Sequence, residues 1–167
     1  MTDITVTAPF DGAEIGSVPV AEADDVEKAL ATAHALYRNR AGWLPKPKRL
    51  EILRRTAEII KERREELALE AAREGGKPLV DSLVEIDRAA DGVENCVEVM
   101  RAEGGQVIPM NLNAASAGRI AFTQFEPIGV VVAVSAFNHP FNLIVHQVAP
   151  AVATGCPVIV KPAAVTP

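Results

Sequence analysis

Residues 126–167 read EPIGVVVAVSAFNHPFNLIVHQVAPAVATGCPVIVKPAAVTP, and their pattern is the most informative about the fold class. Two short apolar runs, 130–134 and 157–160, flank a longer apolar segment that begins at Pro140 and ends before Gly155. A short continuous apolar run is typical of a strand buried on both faces of a parallel sheet. The segment between the runs has the length that a crossover helix needs. The stretch therefore predicts a parallel strand–helix–strand unit and an α/β fold.

The upstream sequence predicts mainly helices. Apolar residues recur there at spacings of three and four, and glycine pairs end the helical segments. The predicted elements are a hairpin over 4–20, a helix from Glu22, one long charged helix over 50–69, a helix over 79–100 and extended strands within 107–127. The apolar stripe of the first helix is Val26, Ala29, Leu30, Ala33 and Leu36.

The composition narrows the class of protein. The formal net charge is −5, which argues against a nucleic-acid partner, because such a partner would need a basic face. No apolar stretch is long enough to span a bilayer, and the first residues lack the pattern of a signal peptide. Cys96 and Cys156 do not suggest a disulfide framework. These features predict a cytoplasmic protein without a membrane partner.

Polar residues follow both predicted strands at one edge of the sheet. Ligands bind at the carboxyl ends of strands in open α/β sheets. Asn138 there is either an N-cap for the next helix or an amide that donates to a developing oxyanion. Lys161 is either a solvated lysine or a cation aimed at a cofactor ribose or phosphate. No G-x-G-x-x-G fingerprint lies in this unit, so spacing alone leaves the ligand open.

The same stretch resembles the aldehyde dehydrogenase superfamily. The Asn-x-Pro at Asn138 and the Lys-Pro at Lys161 stand at the family's spacing. The upstream residues that also fit the family's N-terminal helices are Trp43, Pro45, Arg49, Gly76-Lys77-Pro78 and Glu85. The resemblance implies an α/β fold with N-terminal helices and the start of a Rossmann-like parallel sheet, incomplete in this chain.

The resemblance also implies site residues and a cofactor, NAD or NADP, which the family binds without a glycine-rich loop. Asn138 matches the oxyanion-hole asparagine that steadies a tetrahedral thiohemiacetal. The residues that match the cofactor site are Val134, Ser135, Ala136, Phe137, Lys161, Ala163 and Ala164. The nucleophilic cysteine and the general-base glutamate of the family match positions beyond Pro167. Neither Cys96 nor Cys156 matches the nucleophile, and no metal site is predicted.

Three departures from the family pattern bear on specificity. Ala164 stands where many NAD-preferring members carry a glutamate that repels a 2′-phosphate, which points to NADP as well as NAD. Gln147 replaces a lysine that is common in the family. The helix face that would line the substrate tunnel carries His139, Asn142 and His146, which suggests a polar aldehyde. The alternative is that these histidines are solvated or satisfied by neighbours.

The predicted organisation has three parts. Residues 1–106 form the hairpin and helical part of the cofactor domain, 107–127 the bridging strands used in oligomers, and 128–167 the first strand–helix–strand unit of the NAD(P)-binding domain. Thr166-Pro167 has the pattern of a helix start, so we expect a truncated chain. The predicted function is NAD(P)-dependent oxidation of an aldehyde to a carboxylic acid, with the chain alone inactive and the complete protein a dimer or tetramer. The alternative is a non-catalytic module that binds nucleotide or sister subunits.

Overall fold

The computed structural model describes residues 3–167. It begins with an antiparallel hairpin of β1 (Asp3–Thr7) and β2 (Glu14–Pro19), with a register shift between Val6 and Thr7. The turn carries Gly12 at a positive φ, and the Ala13 N–H donates to the Asp11 carboxylate at 3.0 Å. The predicted hairpin is therefore confirmed.

Helix α1 spans Ala23–Arg38 and starts where the sequence predicts. Glu22 and Asp25 form a capping box, each side chain accepting from the other residue's backbone N–H. The apolar stripe, however, is largely exposed: only Ala33 is buried, while Leu36 is 58% exposed. The predicted helix is therefore present, and most of its apolar stripe stays exposed.

The predicted long charged helix is two helices. α2 spans Lys46–Glu62 and α3 spans Arg64–Gly75, and the backbone of Arg63 (φ −103°, ψ 18°) interrupts them. Beyond the interruption, Arg64 binds Asp87 of the next helix through two nitrogen–oxygen contacts of 2.5 and 2.7 Å. The break at Arg63 therefore lies next to a contact between α3 and the following helix. The spacing of apolar residues alone does not predict it.

Helix α4 (Leu79–Ala102) is the central element of the fold. Its buried side chains include Ile86, Val93 and Met100, which pack in one core with residues of α2, α3 and α5. The α5 contribution is Ala149, with Phe141, Val145 and Val152 at its margin. One core therefore contains residues from both sides of position 128, the predicted start of the third part. The predicted division into three parts remains a prediction.

Strands β3 (Val107–Ile108) and β4 (Ala121–Phe122) form an antiparallel pair after α4. The pair is much shorter than the extended region that the sequence predicts. Beside it, a Cβ atom on Gly105 would lie 1.6 Å from the Thr123 carbonyl oxygen, so the close approach of the two backbones requires glycine.

The predicted strand–helix–strand unit is present. β5 (Val131–Val134) and β6 (Val158–Lys161) pair in parallel and are joined by α5 (Pro140–Thr154), which ends at Gly155 with a φ of 83°. The expectation that β5 is buried on both faces is wrong here: Ala133 is fully buried, but Val132 and Val134 are each 57% exposed. Helix α5 packs against the pair, while the side chains of Val132 and Val134 stay exposed on the opposite face. None of the helices in this range is both long and apolar enough to cross a bilayer.

Candidate active site

The carboxyl ends of the two parallel strands meet at one edge. Val134 pairs with Lys161 in register, and the Ser135 N–H donates to the Lys161 carbonyl at 3.0 Å. The loop from Ser135 to His139 then connects β5 to α5. The fold therefore brings the predicted cofactor residues of both strands to the same edge.

These residues differ in how much of them a ligand can reach. Ser135 and Ala163 are buried, and the Ser135 hydroxyl lies within hydrogen-bond distance of the Pro140 carbonyl at 3.4 Å. Exposed members of the set are Val134, Ala136, Phe137, Lys161 and Ala164. The lysine ammonium and the backbone of the loop offer hydrogen-bond donors at an open edge, which suits the hydroxyls and phosphates of a nucleotide. The residues present therefore fit a dinucleotide.

Asn138 lies exposed in this loop, immediately before α5. The N-cap residue of α5 is His139, with φ −139° and ψ 67°, and it makes no side-chain capping bond. The interpretation of Asn138 as the N-cap is therefore wrong. Its side-chain amide is instead available to a ligand that enters at the strand ends.

The three predicted tunnel residues lie in different environments. Asn142 is buried, and its backbone N–H donates to the Glu85 carboxylate at 2.9 Å. His139 is half-buried, and its Nδ1 lies 3.3 Å from the Lys77 Nζ. His146 is exposed and lies over Gly92 of α4. Only the two histidines thus present a polar group near the surface.

Glu85 is the most deeply buried charged residue of this region. Its side chain has no exposed surface and forms an ion pair with Lys77. In the sequence, Glu85 is identified only as a residue that fits the N-terminal helices of the family. A second signal was available, since Ser82, Glu85 and Ala89 recur at spacings of three and four beside the apolar stripe of α4.

Gln147 connects the helix to the strand end. Its Nε2 donates to the Val134 carbonyl at 3.0 Å and to the Leu143 carbonyl at 3.1 Å. With glutamine in place of lysine, an uncharged side chain therefore hydrogen-bonds α5 to β5, next to the loop that carries Asn138.

The two thiols lie away from this edge. Cys96 is half-buried in α4, and burial raises the pKa of its thiol. Cys156 is buried after α5, with its Sγ 3.4 Å from the Thr154 hydroxyl. Both environments are typical of structural cysteines, because a nucleophile needs access and a stabilised thiolate.

A cleft of about 300 Å³ lies between α3 and the strand ends. Ser135 is the one predicted cofactor residue that lines it, together with Glu70, Glu74 and Thr166. Burial, aided by the charge of Glu70, raises the pKa of Glu74. The Thr166 hydroxyl is buried and has no hydrogen-bond partner among residues 3–167.

Comparison with known proteins identifies the family of this chain. The sequence model of the aldehyde dehydrogenase family matches residues 1–167. A 3-sulfolactaldehyde dehydrogenase of Priestia megaterium is 38% identical over 150 residues, covering 90% of this chain and 31% of its own length.

Two crystal structures superpose closely on the fold. Aldehyde dehydrogenase 21 from Physcomitrella patens, in complex with the reaction product succinate, has a TM-score of 0.91 at 33% identity, covering 99% of this chain and 34% of its own. The glyceraldehyde-3-phosphate dehydrogenase GapN from Methanocaldococcus jannaschii, in complex with NADP, has a TM-score of 0.87 at 33% identity, covering 98% and 34%. The chain thus spans about a third of the length of these relatives. It belongs to the aldehyde dehydrogenase family.

Proposed function

We propose that the protein oxidises an aldehyde to a carboxylic acid with NAD or NADP, and that this chain supplies part of the cofactor site and the oxyanion donor. One observation carries the proposal. The exposed amide of Asn138 lies in the loop after β5, at the edge where the exposed Lys161 ends β6. A nucleotide and a reacting carbonyl can therefore be held side by side at this edge.

The proposed role of Asn138 is electrostatic. When a thiolate attacks an aldehyde, negative charge develops on the carbonyl oxygen, and a fixed amide donor stabilises it. Removal of one such donor lowers kcat by about 10²–10³-fold in enzymes that use an oxyanion hole. The attacking thiolate comes from neither Cys96 nor Cys156, because both are held as structural thiols.

The proposed cofactor contacts follow from exposure and charge. Val134, Ala136 and Phe137 present an open surface beside the strand end, and Lys161 offers a cation for a ribose or phosphate. A nicotinamide held there would supply the hydride acceptor for the oxidation. The exposed Ala164 carries no charge that would repel a 2′-phosphate, so the proposal includes NADP, the cofactor bound to the related GapN enzyme.

For the substrate we propose a polar or anionic aldehyde. His139 and His146 offer polar groups on one side of α5. The related proteins act on 3-sulfolactaldehyde, yield succinate, or bear the name of glyceraldehyde 3-phosphate. Cytoplasmic location and assembly into dimers or tetramers remain predictions, as does inactivity of the chain alone.

The test is a steady-state assay of the full-length protein encoded by the gene. The substrates are succinate semialdehyde, lactaldehyde, glyceraldehyde 3-phosphate and hexanal, each with NAD and with NADP. We expect reduction of a nicotinamide cofactor and a higher kcat/KM for the polar aldehydes than for hexanal. Asn138→Ala lowers kcat by about 10²–10³-fold. No reduction of either cofactor, or full activity of Asn138→Ala, would refute the proposed function.

The matched control is Asn95→Ala. Asn95 is also exposed, but it lies on the outer surface of α4. We expect its kcat to stay within twofold of the unaltered protein, which separates loss of a donor from a general effect of asparagine removal. A preference for hexanal would overturn the substrate class while leaving the oxidation itself intact.

A further inference from the structure

We infer that Glu85 is a positioning residue for the loop that carries Asn138: its buried carboxylate holds the first turn of α5 and, through that turn, the asparagine. The inference deepens the proposed function and rests on the oxyanion role of Asn138.

The first argument is the cost of the buried charge. The Glu85 side chain has no exposed surface, and it lies on the face of α4 that packs against α5. Removing a carboxylate from water carries a desolvation cost that pairing does not fully offset, and an apolar residue of similar volume often gives a protein of equal or greater stability. Packing alone therefore does not account for a glutamate here.

The second argument is the partner of that carboxylate. The first intrahelical bond of α5 runs from the Leu143 N–H to the His139 carbonyl at 2.9 Å. The N–H of Asn142, one residue earlier, is among the four that a helix cannot satisfy itself. It donates to Glu85 Oε1 at 2.9 Å. The carboxylate also lies at the positive end of the helix dipole.

Glu85 thus caps the N-terminus of α5 in place of a neighbouring side chain. His139, the N-cap residue of α5, makes no side-chain capping bond. The start of the helix is therefore fixed from α4, by a residue that stands 57 positions before Asn142 in the chain. Without this bond, the first turn would depend on Pro140 and on packing alone.

The third argument concerns the other side of the loop. Lys77 forms an ion pair with Glu85, and its Nζ lies 3.3 Å from the Nδ1 of His139. The same Nδ1 lies 3.5 Å from Glu85 Oε2, so the imidazole of His139 contacts both members of the pair. His139 directly follows Asn138. The Lys77–Glu85 pair therefore holds the chain just after Asn138 at two points, the His139 ring and the Asn142 N–H.

The experiment is a double-mutant cycle in the full-length protein. It compares Glu85→Gln in the unaltered background and in the Asn138→Ala background. The substrate is the aldehyde with the highest kcat/KM of the four named above. We expect Glu85→Gln to lower kcat by about tenfold or more, because small misplacement of a catalytic group has effects of this size. The KM for NAD(P) stays within about twofold. In the Asn138→Ala background the same substitution changes kcat less than twofold, because the donor that it positions is already gone.

The matched control is Glu94→Gln. Glu94 is on the same helix and also pairs with a lysine, Lys61, at 2.6 Å, but its side chain is 47% exposed. We expect no change in kcat. If Glu85→Gln does not fold, judged by circular dichroism and thermal unfolding, Lys77→Met takes its place, with a smaller loss and the same non-additivity.

The outcomes separate the two proposals. An unchanged kcat in Asn138→Ala refutes the oxyanion role and therefore the basis of the inference. A large loss in Asn138→Ala combined with no loss in Glu85→Gln, or with an equal loss in both backgrounds, overturns the positioning role alone. An additive loss in Lys77→Met overturns it in the same way.

Discussion

The core shared by the helices and the strand–helix–strand unit predicts that one substitution in α4 loosens elements far apart in sequence. Ile86 is the choice, because it is 1% exposed and packs in the cluster that joins α2, α3, α4 and α5. We propose Ile86→Ala, with Val84→Ala as the control. Val84 lies on the same helix but is 44% exposed.

The magnitude follows from the carbons removed. Ile→Ala deletes three carbons at about 0.8 kcal/mol each when fully buried, or about 2.4 kcal/mol in all. The cavity adds to this, and measured losses for such changes are about 2–5 kcal/mol, so we expect about 3 kcal/mol. Val84→Ala removes fewer and half-exposed carbons, and we expect about 0.5 kcal/mol.

The assay is amide hydrogen exchange of the full-length protein, followed by mass spectrometry. Opening of a cooperative unit sets the exchange rate of its protected amides. A loss of about 3 kcal/mol accelerates exchange about 100-fold, since each 1.4 kcal/mol is tenfold. We expect this in peptides of α2, α4 and α5 together. Acceleration below about threefold, or confined to α4, would refute the shared core.

Three further predictions concern single groups. Ala164→Glu in the full-length protein lowers kcat/KM with NADP relative to NAD by about tenfold. The reason is that the repulsion between a carboxylate and a nearby phosphate is about 1–4 kcal/mol, depending on how exposed to solvent the two charges are. Initial rates with both cofactors check it. The thiol of Cys96, whose pKa burial raises, reacts more slowly with iodoacetamide at neutral pH than a free cysteine does, as intact mass will show. A hydrogen bond from Arg64 lowers the pKa of Asp87 from its usual value near 3.8. The stability from this pair is therefore present above that value and is lost as pH falls through the lowered folded-state pKa. Asp87→Asn should remove that part of the acid sensitivity, and equal acid-induced shifts in Tm for both proteins would contradict it.

The strand–helix–strand unit was predictable from sequence because its signals are local. The apolar runs, Pro140 at the start of α5 and Gly155 at its end all act within a few residues. The interruption at Arg63 was not predictable in this way, because the residues around it favour helix and its position accompanies the contact between α3 and α4.

The candidate site was predictable only in part. The strand-end rule and the family resemblance placed Asn138 and Lys161 at one edge; in the structure Asn138 lies in the loop after β5, and Lys161 ends the neighbouring strand β6. Sequence could not separate the N-cap and oxyanion interpretations of Asn138, because His139 lies next to it and takes the cap position. The positioning role that we propose for Glu85 could not be predicted from sequence. Its partners Lys77, His139 and Asn142 come together only in the folded chain.

The core that crosses residue 128 has a consequence for recombination between relatives. A chimera joined just before β5 would pack α5 of one parent against α4 of another. Glu85 and the Asn142 N–H that it binds would then also come from different parents. A crossover between β2 and α2 cuts far fewer contacts, because α1 has few neighbours within residues 3–167. Functional hybrids should therefore inherit α2 to β6 as one block, and exchange at the hairpin should be tolerated more often than exchange inside that block.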